Sequence, residues 1–227
     1  DFFSDQQRWP LAYWLEASYL FGERTEIAQP LPLLSPEKTR RDISAWSLDA
    51  GLRGRLQTPV PVQLGIAYAF GSGGGDAQES QRFEQTGLHS NRSRFTGTRS
   101  LGYRYGEALQ PDLSNLHVAS AFVSMPFERY DTSFVYHQYW RDDDGDGITV
   151  DGVDVQPEAD AGHMLGRGYD LVLSHYFGGA RQSRVDESDD LRSNVRLRGS
   201  LFEPGKGYGS GATDDQYRVT LEVTLWF

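Results

Sequence analysis

The sequence predicts an all-β fold, an antiparallel transmembrane β-barrel, on three observations. Eight segments alternate apolar and polar side chains with a period of two residues, as strands with one greasy and one wet face do. No run approaches the roughly 20 apolar residues of a membrane helix. Only 38% of the residues are hydrophobic, as expected for a barrel whose alternate residues alone face lipid. We expect one barrel domain over residues 1–227.

The predicted strands follow one another along the whole chain. They cover residues 11–21, 43–56, 62–70, 115–125, 131–141, 168–177, 193–202 and 217–227. Short or medium connections fall at 57–61, 126–130 and 178–192, and long ones at 22–42, 71–114, 142–167 and 203–216. Outer-membrane barrels have short periplasmic turns and long external loops, and this alternation assigns every long connection to the exterior.

The last strand is the clearest of the eight. Tyr217, Val219, Leu221, Val223 and Leu225 share one face, with polar residues between them. A half-buried strand of a soluble protein would show the same alternation. The strand ends on Phe227, however, and in this it resembles the final strand of bacterial outer-membrane barrels, which the barrel assembly machinery recognises.

Charge is distributed unevenly along the chain. The net charge is −10, yet residues 142–161 hold eight acidic side chains and no basic ones. Residues 82–104 hold five arginines against Glu84 alone. The acidity is therefore a property of one predicted loop, and another predicted connection is basic.

Residues 85–115 resemble the alginate export protein family. The resemblance is carried by Gln85-Thr86-Gly87-Leu88, Asn91, Phe95, Gly97, Tyr105-Gly106-Glu107, Leu109, Pro111 and Leu113-Ser114-Asn115. It implies a monomeric barrel of about eighteen strands, through which an anionic exopolysaccharide crosses the outer membrane by an arginine-lined pore. Because this chain supplies only eight strands, we expect it to be the C-terminal part of such a barrel. The alternative is a small barrel filled by its own side chains.

The candidate pore-lining residues come from two sources. Strand alternation places Arg53, Arg55, Arg196 and Arg198 on the polar face, together with Asp49 and Asp170. The resemblance implies that Arg92 and Arg196 are pore arginines. It also requires the basic segment, with Arg94, Arg99 and nearby Glu107, to fold back into the lumen. The alternatives are structural ion pairs for any single arginine and a solvated external loop for the basic segment.

The acidic loop contains a partial calcium motif. Asp142, Asp144, Asp146 and Gly147 match the opening of a calcium-binding loop, but Val153 stands where the closing glutamate is needed. A solvated acidic loop is the alternative. The chain has no cysteine, and its histidines show no metal-ligand spacing, so we expect no cofactor beyond such a calcium ion.

We therefore expect an outer-membrane channel for passive export of an anionic, alginate-like exopolysaccharide. The alternative is an anion-selective porin for small nutrients. A barrel enzyme would need a nucleophile or paired-carboxylate motif, and none is evident. The expected partners are the polysaccharide, outer-membrane lipids, the barrel assembly machinery and periplasmic secretion proteins. We expect no nucleic acid, because the aromatic residues lie on strand faces rather than among basic clusters.

Overall fold

Eight long strands dominate the computed structural model, which describes residues 11–28, 37–76, 78–85, 91–156, 162–177, 193–208 and 214–225. The long strands are β1 (Leu11–Ala28), β2 (Glu37–Leu56), β3 (Val62–Gly71), β7 (Leu116–Phe127), β8 (Tyr130–Arg141), β11 (Met164–Tyr176), β12 (Asn194–Pro204) and β13 (Gln216–Thr224). Five short strands lie between them: β4 (Glu79–Ser80), β5 (Arg92–Ser93), β6 (Gly102–Tyr103), β9 (Ile148–Val150) and β10 (Val153–Val155).

The long strands form one antiparallel sheet in chain order. The order is β1-β2-β3-β7-β8-β11-β12-β13, so each strand pairs with the next long strand along the chain. β4 adds a short parallel contact to β2. β5 with β6 and β9 with β10 form two separate two-stranded sheets. Within the described residues, no helix is long and apolar enough to cross a membrane.

All eight predicted strands are present, and the differences lie at their ends. β1 and β2 continue as a paired hairpin to Ala28 and Glu37, where the sequence predicts a loop over 22–42. Ion pairs Arg40–Glu23 and Arg24–Glu84 join charged side chains at this extension. Backbone pairing in this hairpin continues beyond the residues that alternate between apolar and polar. The alternation therefore could not predict the extension. Trp226 and Phe227, the end of the predicted last strand, lie outside the described residues.

The two faces of the sheet differ in chemistry as the alternation predicts. We call outward the face that carries exposed apolar side chains, such as Leu15 at 58%, Ile66 at 62% and Leu221 at 67% exposure. The inward face carries buried polar residues, among them Asp170 and Arg198. A water-soluble sheet would bury its apolar face, so this arrangement is that of a barrel wall with lipid outside.

Aromatic pairs lie on the outward face near both strand ends. Near the long-loop end the Trp46 and Phe70 ring centroids are 4.4 Å apart. Near the short-turn end Tyr130 and His175 are 4.6 Å apart. Barrels of the outer membrane carry aromatic girdles at the two lipid–water interfaces, and these pairs lie where such girdles are expected.

Candidate functional site

The described residues of the long connection between β3 and β7, namely 72–76, 78–85 and 91–115, pack against the inward face of the sheet. We call them the inner segment. Phe83, Tyr105, Leu109 and Leu113 of the segment are buried in one apolar cluster with side chains from the wall strands. These wall residues are Ala45, Ala69, Leu116, Val118, Tyr139, Leu165 and Phe202. The segment therefore folds back over the face that carries the candidate pore residues, and it is not a solvated loop.

The inner segment reaches from the long-loop end of the sheet to its short turns. It leaves β3 at Gly71, yet Ser124 Oγ, close to the β7–β8 turn, donates to Thr96 O at 2.5 Å. Gln63 Nε2, at the start of β3, donates to Gly97 O at 3.2 Å. Gly97 has φ +78°, and a Cβ there would lie 1.9 Å from Gln63 Oε1, so glycine is required at this tip.

Arg53 holds the tip of the inner segment through backbone carbonyls. Its Nη1 donates to Arg94 O at 2.9 Å and Phe95 O at 2.7 Å. The residue is only 8% exposed. Arg53 is on the inward face, as the alternation predicts, but it lies beneath the segment and its Nη1 is bonded within the protein.

Arg99 fastens the same tip to the β7–β8 turn. Its Nη2 lies 2.8 Å from Asp131 Oδ1, and its backbone N–H donates to Asp131 Oδ2 at 2.7 Å. Nη1 donates to Glu128 O at 2.8 Å, and the guanidinium lies 4.2 Å from the Tyr176 ring centroid. With Asp131 only 2% exposed, this is a buried ion pair with several additional hydrogen bonds.

The Asp49 carboxylate contacts three donor side chains below the middle of the segment. It accepts hydrogen bonds from Trp14 Nε1 at 2.7 Å and Tyr105 Oη at 2.9 Å. Arg104 Nη1 lies 2.9 Å from its Oδ2. Gly51 makes room for the Trp14 ring, since a Cβ there would lie 2.0 Å from that ring. Arg104 is missing from the sequence-based candidates, although it belongs to the basic stretch that indicated the site.

A second group of charges joins the segment to β11, β12 and β13. Arg198 forms an ion pair with Glu107, and Arg196 with Glu222 at 3.1 Å. Arg198 Nη2 also lies 3.6 Å from Glu222 Oε2. The backbone N–H of Glu107 donates to Asp170 Oδ2 at 2.9 Å. Arg196 and Arg198 are buried among these contacts. Their predicted role in lining a pore stays a prediction.

Arg92 and Arg55 are the exposed members of the candidate set, and Arg94 is half-buried. The Arg92 guanidinium lies 4.5 Å from the ring centroid of Tyr103, on the paired strand β6. Arg94 Nε donates to Arg99 O at 3.1 Å. Arg55 is at the short-turn end of β2, opposite Gln63. The predicted site residues therefore separate into buried anchors and exposed cations.

The acidic loop is built around Asn115 and Arg82. Asn115 Nδ2 donates to the carbonyls of Asp143 and Asp146, each at 2.9 Å. Arg82 donates from Nη2 to Thr149 Oγ1 at 2.9 Å and to Asp154 Oδ1 at 2.6 Å. Together these bonds tie residues 142–156 to the inner segment. Residues 157–161 lie outside the residues that the structure describes.

The three aspartates of the partial calcium motif have separate partners. Asp142 accepts from Gly73 N at 3.0 Å and contacts His117 at 3.1 Å. Asp144 pairs with Arg141 at 3.3 Å, and Asp146 with Arg82 at 3.4 Å. Across the described ranges, no group of three or more acidic or histidine side chains is arranged to hold a metal ion. The carboxylates do not converge on one point, so calcium binding stays a prediction.

Hydrogen bonding shifts the pKa of one carboxyl in this loop. The Thr149 hydroxyl, and then Arg82, lower the pKa of Asp154 below its ordinary value, because both stabilise the carboxylate. The opposite happens at the half-buried Asp112, where removal from water raises the carboxyl pKa.

Comparison with known proteins gives a consistent result. The family model described as "Alginate export" matches residues 1–221. The alginate production protein AlgE of Pseudomonas aeruginosa is 39% identical over 235 residues, which cover 100% of this chain and 46% of the relative. The proteins of that name from Azotobacter vinelandii and Pseudomonas syringae pv. tomato are 38% and 35% identical, over 82% and 96% of this chain and 40% and 46% of the relatives.

The chain thus spans about half the length of the curated relatives it matches. The open antiparallel sheet, its apolar outward face and these relatives confirm the predicted outer-membrane β-barrel wall. With a family model matching all but its last six residues, the chain belongs to the alginate export family.

Proposed function

We propose that this chain forms part of the wall, and the constriction, of an outer-membrane channel that exports an anionic polysaccharide of the alginate class. The family and the names of the relatives support the substrate class. The observation that carries the proposal is the inner segment, which covers the inward face of the wall from the long-loop end to the short turns. A segment in that position narrows the passage, so the chemistry of its exposed side chains selects what passes.

In this proposal the exposed cations meet the polymer. Arginine offers several fixed donors to a carboxylate and stays charged at any physiological pH. Arg92 and Arg55 are exposed and Arg94 is half-buried, so they can offset the cost of removing sugar carboxylates from water. Because the buried arginines are already bonded to carboxylates or carbonyls, the passage has limited positive charge. The polymer can then leave as well as enter.

The remaining surfaces fit the expected partners. The apolar outward face fits lipid. The assembly machinery would recognise the last strand, and periplasmic proteins would deliver the polymer to the short-turn end. Each of these partners is part of the proposal rather than of the observed structure.

Current block by uronate oligomers tests the proposal in the full-length protein, reconstituted in planar bilayers. We expect oligomers with several carboxylates to interrupt the anion current at concentrations where the monomer does not. We expect Arg92→Gln to weaken that block. A variant with Gln in place of Arg40, which is exposed on the β1–β2 extension, is the matched control and should behave as the unaltered protein.

A porin for small anions is the second candidate, and the narrowing by the inner segment favours it. The same experiment separates the two functions. Equal block by monomer and oligomer, unaffected by Arg92→Gln, would contradict the export proposal and favour the small-anion porin.

A further inference from the structure

One corner of the inner segment, Tyr105–Glu107, is docked on β8 and β11 by buried polar side chains. Tyr139 Oη donates to Tyr105 O at 2.9 Å. Asp170 Oδ2 accepts from the Glu107 backbone N–H at 2.9 Å and lies 3.1 Å from His137 Nε2. His137 and Tyr139 are 0% and 1% exposed, and Asp170 is 3% exposed, so water does not compete for these bonds.

His137 is held in a fixed orientation between two wall strands. Its Nδ1 lies 2.8 Å from Ser120 Oγ on β7, while its Nε2 faces Asp170 on β11. A neutral imidazole can accept from the serine hydroxyl at Nδ1 and donate to the carboxylate at Nε2. Ser120, His137 and Asp170 therefore form a row that crosses three strands and ends at the Glu107 amide.

The shape of the corner depends on glycine. Gly106 has φ +105°, and a Cβ there would lie 2.1 Å from Tyr139 Oη. Gly168 of β11 leaves room for the same hydroxyl, since its own Cβ would lie 2.8 Å away. Only glycine combines this backbone conformation with this close approach, so the corner and its docking residues are matched to each other.

The hydrogen bonds of Asp170 in the described structure go to this corner and to His137. Both of its hydrogen bonds use Oδ2, and Oδ1 has no hydrogen-bond partner among the described residues. Burying a carboxylate is unfavourable unless donors compensate it. If this position served packing alone, a hydrophobic side chain would give a more stable fold than a buried carboxylate.

The docked corner fixes Glu107, which binds a candidate pore arginine. The Glu107 carboxylate pairs with Arg198, and its carbonyl accepts from Arg218 Nη1 at 3.4 Å. The backbone bond to Asp170 and the side-chain bond to Arg198 thus leave the same residue in different directions. Moving the corner would pull the carboxylate from Arg198.

We propose that Asp170, oriented by His137, is the positioning residue of the constriction: it docks the Tyr105–Glu107 corner and thereby places the Glu107 carboxylate on Arg198. Asp170 does this without touching the polymer. Its effect on transport rests on the proposed function, whereas its effect on docking does not.

Hydrogen exchange of the full-length protein tests the docking alone. Asp170→Asn keeps the shape but replaces a charged acceptor by a neutral one, so we expect amide exchange of residues 103–109 to accelerate roughly tenfold. Gly106→Ala should accelerate exchange there by a purely steric route. Gly102→Ala is the matched control, because its Cβ would be 3.5 Å from the nearest atom. Unchanged exchange in both Asp170→Asn and Gly106→Ala would overturn the proposal.

Single-channel recording of the same proteins tests the consequence. We expect Asp170→Asn to change conductance in the unaltered background and to have a much smaller effect when Arg198 is already Ala, because the two residues act through Glu107. Additive effects would contradict positioning through Glu107. If Asp170→Asn exchanges faster but is blocked by oligomers as strongly as the unaltered protein, the docking is confirmed. That result would count against the proposed function.

Discussion

Arginines with two kinds of surroundings lie on the inward face. Arg53 and Arg198 of the wall, and Arg99 of the inner segment, are held by carbonyls or carboxylates between segment and wall, and they cannot approach a polymer without breaking those bonds. Arg92 and Arg55 are exposed. Arginine suits both tasks because its planar fork bonds several acceptors at once and retains its charge.

Removing one member of the Arg99–Asp131 pair should destabilise the tip strongly. Arg99→Gln leaves the Asp131 carboxylate buried without its cation, which typically costs about 3–5 kcal/mol. The free energy of unfolding in detergent measures this cost. Adding Asp131→Asn to the Arg99→Gln protein should recover part of it, since no buried charge is then unpaired. If the double variant loses as much free energy of unfolding as Arg99→Gln and Asp131→Asn together, the pair is not coupled.

The outward face should not tolerate a charge at its centre. Leu171 is 43% exposed and pairs with Phe134 and Gly199, half-way along neighbouring strands. Leu171→Arg should cost about 2–4 kcal/mol of barrel stability near the membrane midplane. Leu171→Met is the control and should be nearly neutral. A Leu171→Arg barrel as stable in lipid as the Met variant would mean that this face does not contact hydrocarbon.

Among the structural elements, the strands of the wall are predicted by the alternation of apolar and polar residues. The same alternation does not predict the position of the inner segment. A period of two residues predicts on which face of the sheet a side chain lies. It places Asp49, Asp170 and Arg198 correctly on the inward face. In the part of the inner segment that the structure describes, the strands are the short β4, β5 and β6, and the position of the segment depends on contacts between residues far apart in sequence. Arg53 to Phe95 and Glu107 to Asp170 are such contacts. Only the family resemblance indicated that the segment folds inward.

The acidic loop should loosen from the inner segment in acid. The pKa of Asp154 is lower in the folded protein than in the unfolded chain, where it is about 4. Its bonds to Thr149 and Arg82 therefore stabilise the loop fully at pH values above about 4. That stabilisation is lost as pH falls through the lower folded pKa. Exchange protection of residues 148–155 should follow this titration, and Arg82→Met should weaken both protection and its pH dependence. Protection that is flat from pH 7 to below pH 3 would contradict the assignment.

Calcium binding in the same loop is tested by titration. The motif predicts that calcium, and not magnesium at the same concentration, increases the protection of residues 142–156. Binding would require Asp146 to exchange Arg82 and the Gly74 N–H for the ion. Asp146→Asn should abolish the response. If calcium leaves protection unchanged, the aspartates serve only the hydrogen bonds described above.

The whole molecule combines a lipid-facing wall with an inner segment that we propose to be a constriction. The wall follows from strand chemistry, and buried charge pairs fix the inner segment on it. Outer-membrane location and membership of the alginate export family agree with both. We propose that the exposed arginines favour anions, while the buried arginines hold the inner segment on the wall.

The reversal potential in a salt gradient distinguishes the exposed arginines from the buried ones. In the full-length protein, replacing Arg55 and Arg92 together by Glu should shift the preference from anions toward cations, because both exposed cations become anions in the passage. The fold should be retained, since neither side chain is buried. Arg40→Glu, on the β1–β2 extension, should leave the reversal potential close to that of the unaltered protein. An unchanged anion preference in the Arg55→Glu, Arg92→Glu protein would mean that these arginines do not face the passage.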